Sequence, residues 1–326
     1  MKDASPVPAI AMRGLTKRFP ARQRDPRAGH AAAAAEVVAV DHLTLDVASG
    51  ERLGLLGPNG AGKTTTLLML STLLAPSDGT ALVEGFDVRR DPQAVRRRIG
   101  ALLAGDRAVY RRLTGRENLL YFADLYGLPR AEAAARAAAL LDLVGLGERA
   151  DDLVSRYSSG MRLRLALART VLHNPSVLLL DEPTLGLDPD ISVRMRAQIA
   201  GLRRERGTTI LLTTHYMREA EELCDEIAFI KNGEIPARGT ADALKRQIRI
   251  GDVIALRLDP ASGDGLAELP GVLRCVFQDG RVECTVDSAE KRLAQILSWL
   301  HEQGVVVRDV DVHEPDLEEV FVELAK

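Results

Sequence analysis

The chain has 326 residues, of which 46% are hydrophobic, 27% charged and 4% aromatic, and its net charge is −3. That length and apolar content support one large core plus a smaller one, and so one or two domains. The charge balance excludes a bulk polyanion partner such as DNA, and the scarcity of aromatics argues against a stacking platform for single strands.

The opening "MKDASPVPAI" has no apolar stretch of signal-peptide length, and no window approaches 18 uncharged apolar residues. Neither secretion nor membrane spanning is expected, and any membrane role falls to a partner. "AIAMRGLTKRF" reads as a short strand. Residues 20–35, "PARQRDPRAGHAAAAA", mix Pro, Arg and Ala and read as an exposed insertion between two strands. "VVAVDHLTLDV" resumes strand alternation, with Val37, Val40, Leu43, Leu45 and Val47 expected to line a core. The apolar run Leu53 to Leu56 then leads into a glycine-rich loop and the helix "TTTLLMLSTLL"; "ALVEGFDV" reads as a further strand.

From about Arg96 to Thr170 the texture is helical. "TGRE", Thr114 to Glu117, fits a capping box, and "NLLYFADLYGL" behind it carries a heavy apolar face. "PRAEAAARAAALLDLVGL" has Pro129 near its start and strong helix formers after it. Strand signals return at "VLLL" (177–180) and "TTILLTT" (208–214), continuous apolar runs of the kind that parallel, fully buried strands require. "EIAFIKNGEI" contains an Asn-Gly hairpin turn.

After Thr240 the pattern is that of a small α+β unit, so the domains are placed at 1–240 and 241–326. "VIALRL" is an alternating strand, and "VLRCVFQDGRVECTV" is two strands around an Asp-Gly turn. "SAEKRLAQILSWLHEQG" is an amphipathic helix closed by Gly304; "VVVRDVDV" and "DLEEVFVELAK" complete the unit. Cys224, Cys275 and Cys284 are odd in number, widely spaced and without a C-x-x-C pair, which suits reduced packing residues and no metal.

Three strand ends carry chemistry. "GPNGAGKT", from Gly57 through Pro58, Asn59, Gly60, Ala61, Gly62 and Lys63 to Thr64 and followed by Thr65, matches G-x-x-x-x-G-K-[ST] between a strand and a helix. Its backbone N–H groups converge on phosphate oxygens, Lys63 adds a charge at the β/γ-phosphates, and the Thr64 hydroxyl ligates Mg²⁺. "VLLLDEP" ends a strand on Asp181, suited to the Mg²⁺ shell, and Glu182, suited to deprotonating a water. Two solvated acids capping a strand are the plain alternative. "LLTTH" places His215 at another strand end: an ordinary polar terminus, unless the strands share one sheet and His215 meets the γ-phosphate. A second anion site appears at "YSSGM", where Ser158 to Gly160 open a helix.

The order of these pieces, with "LGLD" between "DEP" and "TTH", resembles the nucleotide-binding subunit of an ATP-binding cassette (ABC) transporter over about residues 7–240. The resemblance implies an α/β P-loop NTPase fold: a RecA-like core, an antiparallel β subdomain and a helical subdomain over about 96–170, with the α+β unit appended. It implies ATP and Mg²⁺ as ligands, with Asp181 reaching the metal through water and Glu182, His215 and Lys63 as the catalytic set. "YSSGM" then stands where the family has its signature motif, so Ser158 and Gly160 serve the ATP of a second copy paired head to tail. Phe19 matches the residue that stacks on adenine, with core packing the alternative, and Asp188 matches an interface aspartate.

By the same resemblance the chain acts as a dimer, most simply a homodimer, beneath a separately encoded membrane permease, on the inner face of the cell membrane. Tyr121, Phe122 and Tyr126 are candidates for touching that permease, with core packing the alternative. "HEPDLEEVFVEL" resembles the tail of bacterial drug- and antibiotic-export subunits, which favours export. Two departures stand out. "IGALLAGDRAVY" lacks the glutamine the family places there, leaving Asp106 as a partial substitute or the link made differently. The signature has Tyr157, Ser159 and Met161 where the family has Leu, Gly and Gln. A soluble or regulatory ATPase not coupled to transport is the alternative reading.

Overall fold

The computed structural model describes residues 7–20, 36–103, 108–247, 252–259, 265–278 and 281–313. Apart from Pro20, the expected insertion lies outside them, as do Asp106, the Asp-Gly turn and "DLEEVFVELAK". The chain divides into two compact units, Met1–Arg238 and Gly239–Lys326.

In the first unit β1 (Ile10–Pro20) pairs antiparallel with β2 (Glu36–Val47), and β3 (Arg52–Leu56) leads through the glycine-rich loop into α1 (Lys63–Leu70). Next come β4 (Asp78–Val83), β5 (Phe86–Asp87), α2 (Pro92–Arg98) and β6 (Ile99–Leu102). Helices α3 (Gly115–Leu125), α4 (Arg130–Leu143) and α5 (Ser159–Val171) follow. Then β7 (Val177–Asp181), α6 (Pro189–Arg206), β8 (Thr209–Thr214), α7 (Met217–Leu223), β9 (Glu226–Lys231) and β10 (Glu234–Gly239) complete the order.

These strands form two sheets: an antiparallel one, β2-β1-β4-β5, and a six-stranded one, β10-β9-β3-β8-β7-β6, in which β9, β3, β8, β7 and β6 are parallel neighbours. The unbroken apolar runs have a simple cause. Val177, Leu179 and Leu211 face a core shared with the antiparallel sheet and α1. Leu178, Leu180, Ile210 and Leu212 face a second core formed with α3, α4, α5 and α6. With successive side chains on opposite faces, a strand between two cores has no position left for a polar residue.

Several expectations need correction. Val37 is 56% exposed and faces no core, whereas Val40, Leu43, Leu45 and Val47 are buried. "ALVEGFDV" is two strands, because Glu84 (φ 49°) and Gly85 (φ 78°) turn the chain back on itself. The stretch expected to be helical from Arg96 contains β6, the edge strand of the parallel sheet. The capping box is formed: the Thr114 hydroxyl accepts from Glu117 N at 3.1 Å, and Glu117 Oε2 accepts from Thr114 N at 2.8 Å. Asn232 (φ 52°) and Gly233 (φ 84°) make the expected hairpin turn between β9 and β10.

In the second unit α8 (Ala241–Gln247) precedes β11 (Asp252–Asp259), β12 (Val272–Gln278), β13 (Arg281–Val286), α9 (Ala289–Glu302) and β14 (Val306–His313). The sheet order is β12-β13-β11-β14, and Ile254, Leu256, Val282 and Val286 pack with Ile296 and Leu300 of α9. Cys275 and Cys284, nine residues apart in sequence, lie opposite each other on β12 and β13, with Sγ atoms 2.6 Å apart and both thiols free. Burial pushes the Cys275 thiol pKa up.

Candidate nucleotide-binding site

Strands β3, β8 and β7 are parallel neighbours, so their carboxyl ends open along one edge of the sheet. That edge gathers the loop after β3, the acids after β7 and the histidine after β8. In the loop Pro58, Asn59 and Gly60 are exposed, while Gly57, Ala61 and Gly62 are buried beneath them. Gly62 adopts φ 102°, and a Cβ there would lie 2.5 Å from the Ala39 carbonyl oxygen; at Gly57 it would lie 2.3 Å from that of Ile230. Only glycine closes the loop this tightly. Among the described residues the amides of Gly60, Gly62, Lys63 and Thr64 donate no backbone hydrogen bond. They form a run of free donors at the N-terminus of α1.

Lys63 is 5% exposed, and its Nζ donates to Gly57 O at 2.6 Å and to Pro58 O at 3.1 Å. Burial lowers the ammonium pKa, and the carboxylates of Glu182 and Asp181 oppose that shift. The Thr64 hydroxyl donates to the Asp181 carboxylate, 3.1 Å and 3.0 Å from its two oxygens. The Thr213 hydroxyl holds Asp181 Oδ1 from the other side at 2.6 Å. A hydroxyl and a carboxylate meeting in this way are hard oxygen donors of the kind Mg²⁺ takes, and the free amides suit a phosphate chain. Both ligands fit the residues present.

Glu182 has φ 47°, a left-handed backbone in a residue with a side chain. Its N–H donates to Thr213 O at 3.0 Å. Its Oε2 lies 3.0 Å from His215 Nδ1, out of line for a hydrogen bond. Thr213 was not singled out from the sequence, although "LLTTH" held the signal: a hydroxyl in register with Asp181 across a parallel pair.

Among the described residues no hydrogen bond or ion pair ties Ser158, Gly160, Asp188 or Phe19 to this group. Ser158 caps α5, its Oγ accepting from Met161 N at 3.2 Å. Ser158, Ser159 and Asp188 are exposed; Gly160 is buried, and a Cβ there would come within 3.2 Å of Ile191 and 3.4 Å of Leu187. Gly160 therefore packs its α-carbon inward, and the two serines are the exposed side chains of the helix start. Phe19 is 37% exposed at the end of β1, in neither core, with Lys17 Nζ 5.2 Å from its ring centroid; the core-packing alternative does not hold.

Tyr157, the first departure in the signature, is a core anchor: it is 3% exposed and its hydroxyl donates to Arg149 O at 2.6 Å. Tyr157→Phe is expected to lower unfolding stability by about 1 kcal/mol, because the part-buried hydrogen bond to Arg149 O is lost, without changing nucleotide affinity. Denaturant unfolding and nucleotide titration of the same preparations check both halves of that statement.

A phosphate-binding loop on a parallel sheet, flanked by an antiparallel sheet and a helical insert, defines an ATP-binding cassette. Residues 40–185 match the family model for ABC transporters, and residues 239–325 match that for the C-terminal domain of DrrA1-3-like ATP-binding proteins. The chain belongs to the ABC transporter ATP-binding family. It is 42% identical over 293 residues to the daunorubicin resistance ATP-binding protein DrrA3 of Streptomyces coeruleorubidus, covering 88% of this chain and 90% of that one. It is 33% identical to the linearmycin resistance ATP-binding protein LnrL of Bacillus subtilis, covering 87% and 93%. Among solved structures, the ATP-binding subunit of an ABC transporter matches with TM-score 0.62 and 29% identity over 73% of this chain and 92% of that chain. A dimeric ATP-binding cassette bound to ADP and Pi shares the fold, with TM-score 0.62 and 23% identity over 71% and 98%.

Proposed function

We propose that this chain hydrolyses ATP to drive export through a separate membrane permease. The observation that carries the reading is the meeting of Lys63, Thr64, Asp181, Glu182 and His215 at one sheet edge. Glu182 is the general base: its Oε2 takes the proton of the attacking water, and His215 Nδ1 faces it across 3.0 Å. Lys63 exchanges the carbonyls of Gly57 and Pro58 for phosphate oxygens. Thr64, and Asp181 through water, would hold Mg²⁺, which when bound would supply positive charge to the phosphate oxygens. Asn59, Gly60, Gly62 and Thr65 line the cradle, and Phe19 offers its exposed ring to the base.

Ser158 and Gly160 at the start of α5, with Asp188, serve the ATP of a second copy, so that two chains close on ATP and part after hydrolysis; the exposure of Ser158 and Asp188 supports this. The permease has a candidate seat. A groove of about 610 Å³ is lined by Leu73, Leu125, Phe122, Tyr126 and three arginines, Arg96, Arg97 and Arg169. Of the three aromatic candidates, Phe122 and Tyr126 line it, while Tyr121 stacks edge-on against Tyr110. No helix among the described residues is long and apolar enough to cross a membrane, so a seat on a permease is what would place the chain at the inner face of the cell membrane. The resistance proteins among its relatives support drugs as the cargo class.

The test is phosphate release from ATP and Mg²⁺ by the purified full-length chain. Steady turnover supports the reading; ATP binding with no phosphate release would favour the regulatory alternative.

A further inference from the structure

Glu182 sits in a backbone conformation, φ 47°, that residues with a Cβ rarely adopt, and Pro183 follows it directly. Such a residue persists only where its surroundings over-determine it. Upstream, the Glu182 amide is fixed by Thr213 O at 3.0 Å. Downstream, the hold comes from an unexpected direction. The Thr184 hydroxyl donates to Glu219 Oε1 at 2.6 Å, from α7, and both side chains are buried.

Glu219 is 2% exposed, and its second oxygen, Oε2, has no hydrogen-bond partner among the described residues. Burial pushes its pKa up, and the neighbouring Glu182 carboxylate adds to this against the hydroxyls of Thr184 and Thr214 and the charge of Arg196. A buried carboxyl, even with two hydroxyls beside it, is a costly way to fill space that a leucine would fill at no polar cost. The arrangement makes sense as a tether. Glu219 stands four residues beyond His215, and Thr184 stands two beyond Glu182. The two turns therefore meet twice, once where Glu182 Oε2 approaches His215 Nδ1 without a hydrogen bond and once through the Thr184–Glu219 hydrogen bond.

We propose that Glu219 is a positioning residue for hydrolysis. By holding Thr184 it fixes the strained turn at 182–184 and keeps Glu182 Oε2 beside His215; it touches neither substrate nor base. This deepens the reading of Glu182 as general base and rests on it.

The experiment measures phosphate release and ATP affinity of the full-length chain and four variants. Glu219→Gln keeps an acceptor for Thr184 and is expected to stay within about threefold of the unaltered kcat. Glu219→Leu keeps the volume but not the acceptor, and is expected to lower kcat at least about tenfold with KM and Kd for ATP held within about twofold. Thr184→Val, nearly isosteric and so the safer variant for folding, is expected to show the same split. The double variant Glu219→Leu/Thr184→Val is expected to be no slower than the worse single one, because both remove one tether. Additive losses, a loss in KM rather than kcat, or a Gln variant as slow as the Leu variant would overturn the proposal. Glu182→Gln run alongside separates the two claims: unchanged turnover there removes the base and this inference with it. A strong loss there together with additive tether variants removes this inference alone.

Discussion

Glu182→Gln is expected to bind ATP within about twofold of the unaltered affinity and to turn it over at least about 100-fold more slowly, the scale of a general base. The side-chain amide matches the carboxylate in size, so the variant keeps the turn at φ 47° and the hydrogen bond its backbone N–H donates to Thr213 O. What it loses is the ability to accept a proton at the oxygen that faces His215. The loss should fall on kcat and leave the binding constant nearly untouched, because the cradle of amides and Lys63 is unaltered. Steady-state phosphate release, with nucleotide titration on the same preparation, separates the two. Turnover within a few-fold of the unaltered chain would remove Glu182 from its role and return Asp181 and Glu182 to the status of strand-end acids.

Lys63→Met is the second large effect. The ammonium is nearly buried, held by two carbonyls of its own loop and facing two carboxylates. Its burial is costly in isolation, as the lowered pKa indicates, so it is poorly explained by stability alone. Its cost makes sense where phosphate oxygens replace the carbonyls. Methionine preserves the volume and removes the charge, and the Kd for ATP is expected to rise roughly 10- to 100-fold, the worth of a charge-assisted hydrogen bond. Equilibrium titration with a fluorescent ATP analogue gives the number. An unchanged Kd with an intact fold would mean that Lys63 serves the loop and not the ligand.

The parts of the site that rest on local pattern were legible before the structure. The glycine loop, Asp181, Glu182 and His215 each end an apolar run, and such runs are forced by strands that face a core on both sides. What stayed hidden depends on distance along the chain or on edges. The Thr184–Glu219 bond spans 35 residues, and neither residue belongs to a motif. Strand β6 is four residues long and directly follows an arginine-rich helix, so no alternation had room to show. Val37 kept its place in the alternation of β2 but sits beyond the reach of the core, opposite the exposed Phe19.

The cysteine pair was readable and was missed. Cys275 and Cys284 stand at equal distances from the expected Asp-Gly turn, so pairing the two strands around it places them face to face. Gly160 carries a packing reason that the motif did not show: a Cβ there would crowd Ile191 and Leu187.

In the proposed cycle two copies share each nucleotide, one lending the glycine loop and the other its serine helix start. Sedimentation of the full-length Glu182→Gln variant with and without ATP and Mg²⁺ tests it most directly. The variant is expected to sediment as a monomer alone, as a dimer with ATP, and as a monomer again when Ser159→Arg blocks the exposed helix start. A chain that binds ATP with the expected affinity and stays monomeric at every concentration would contradict it.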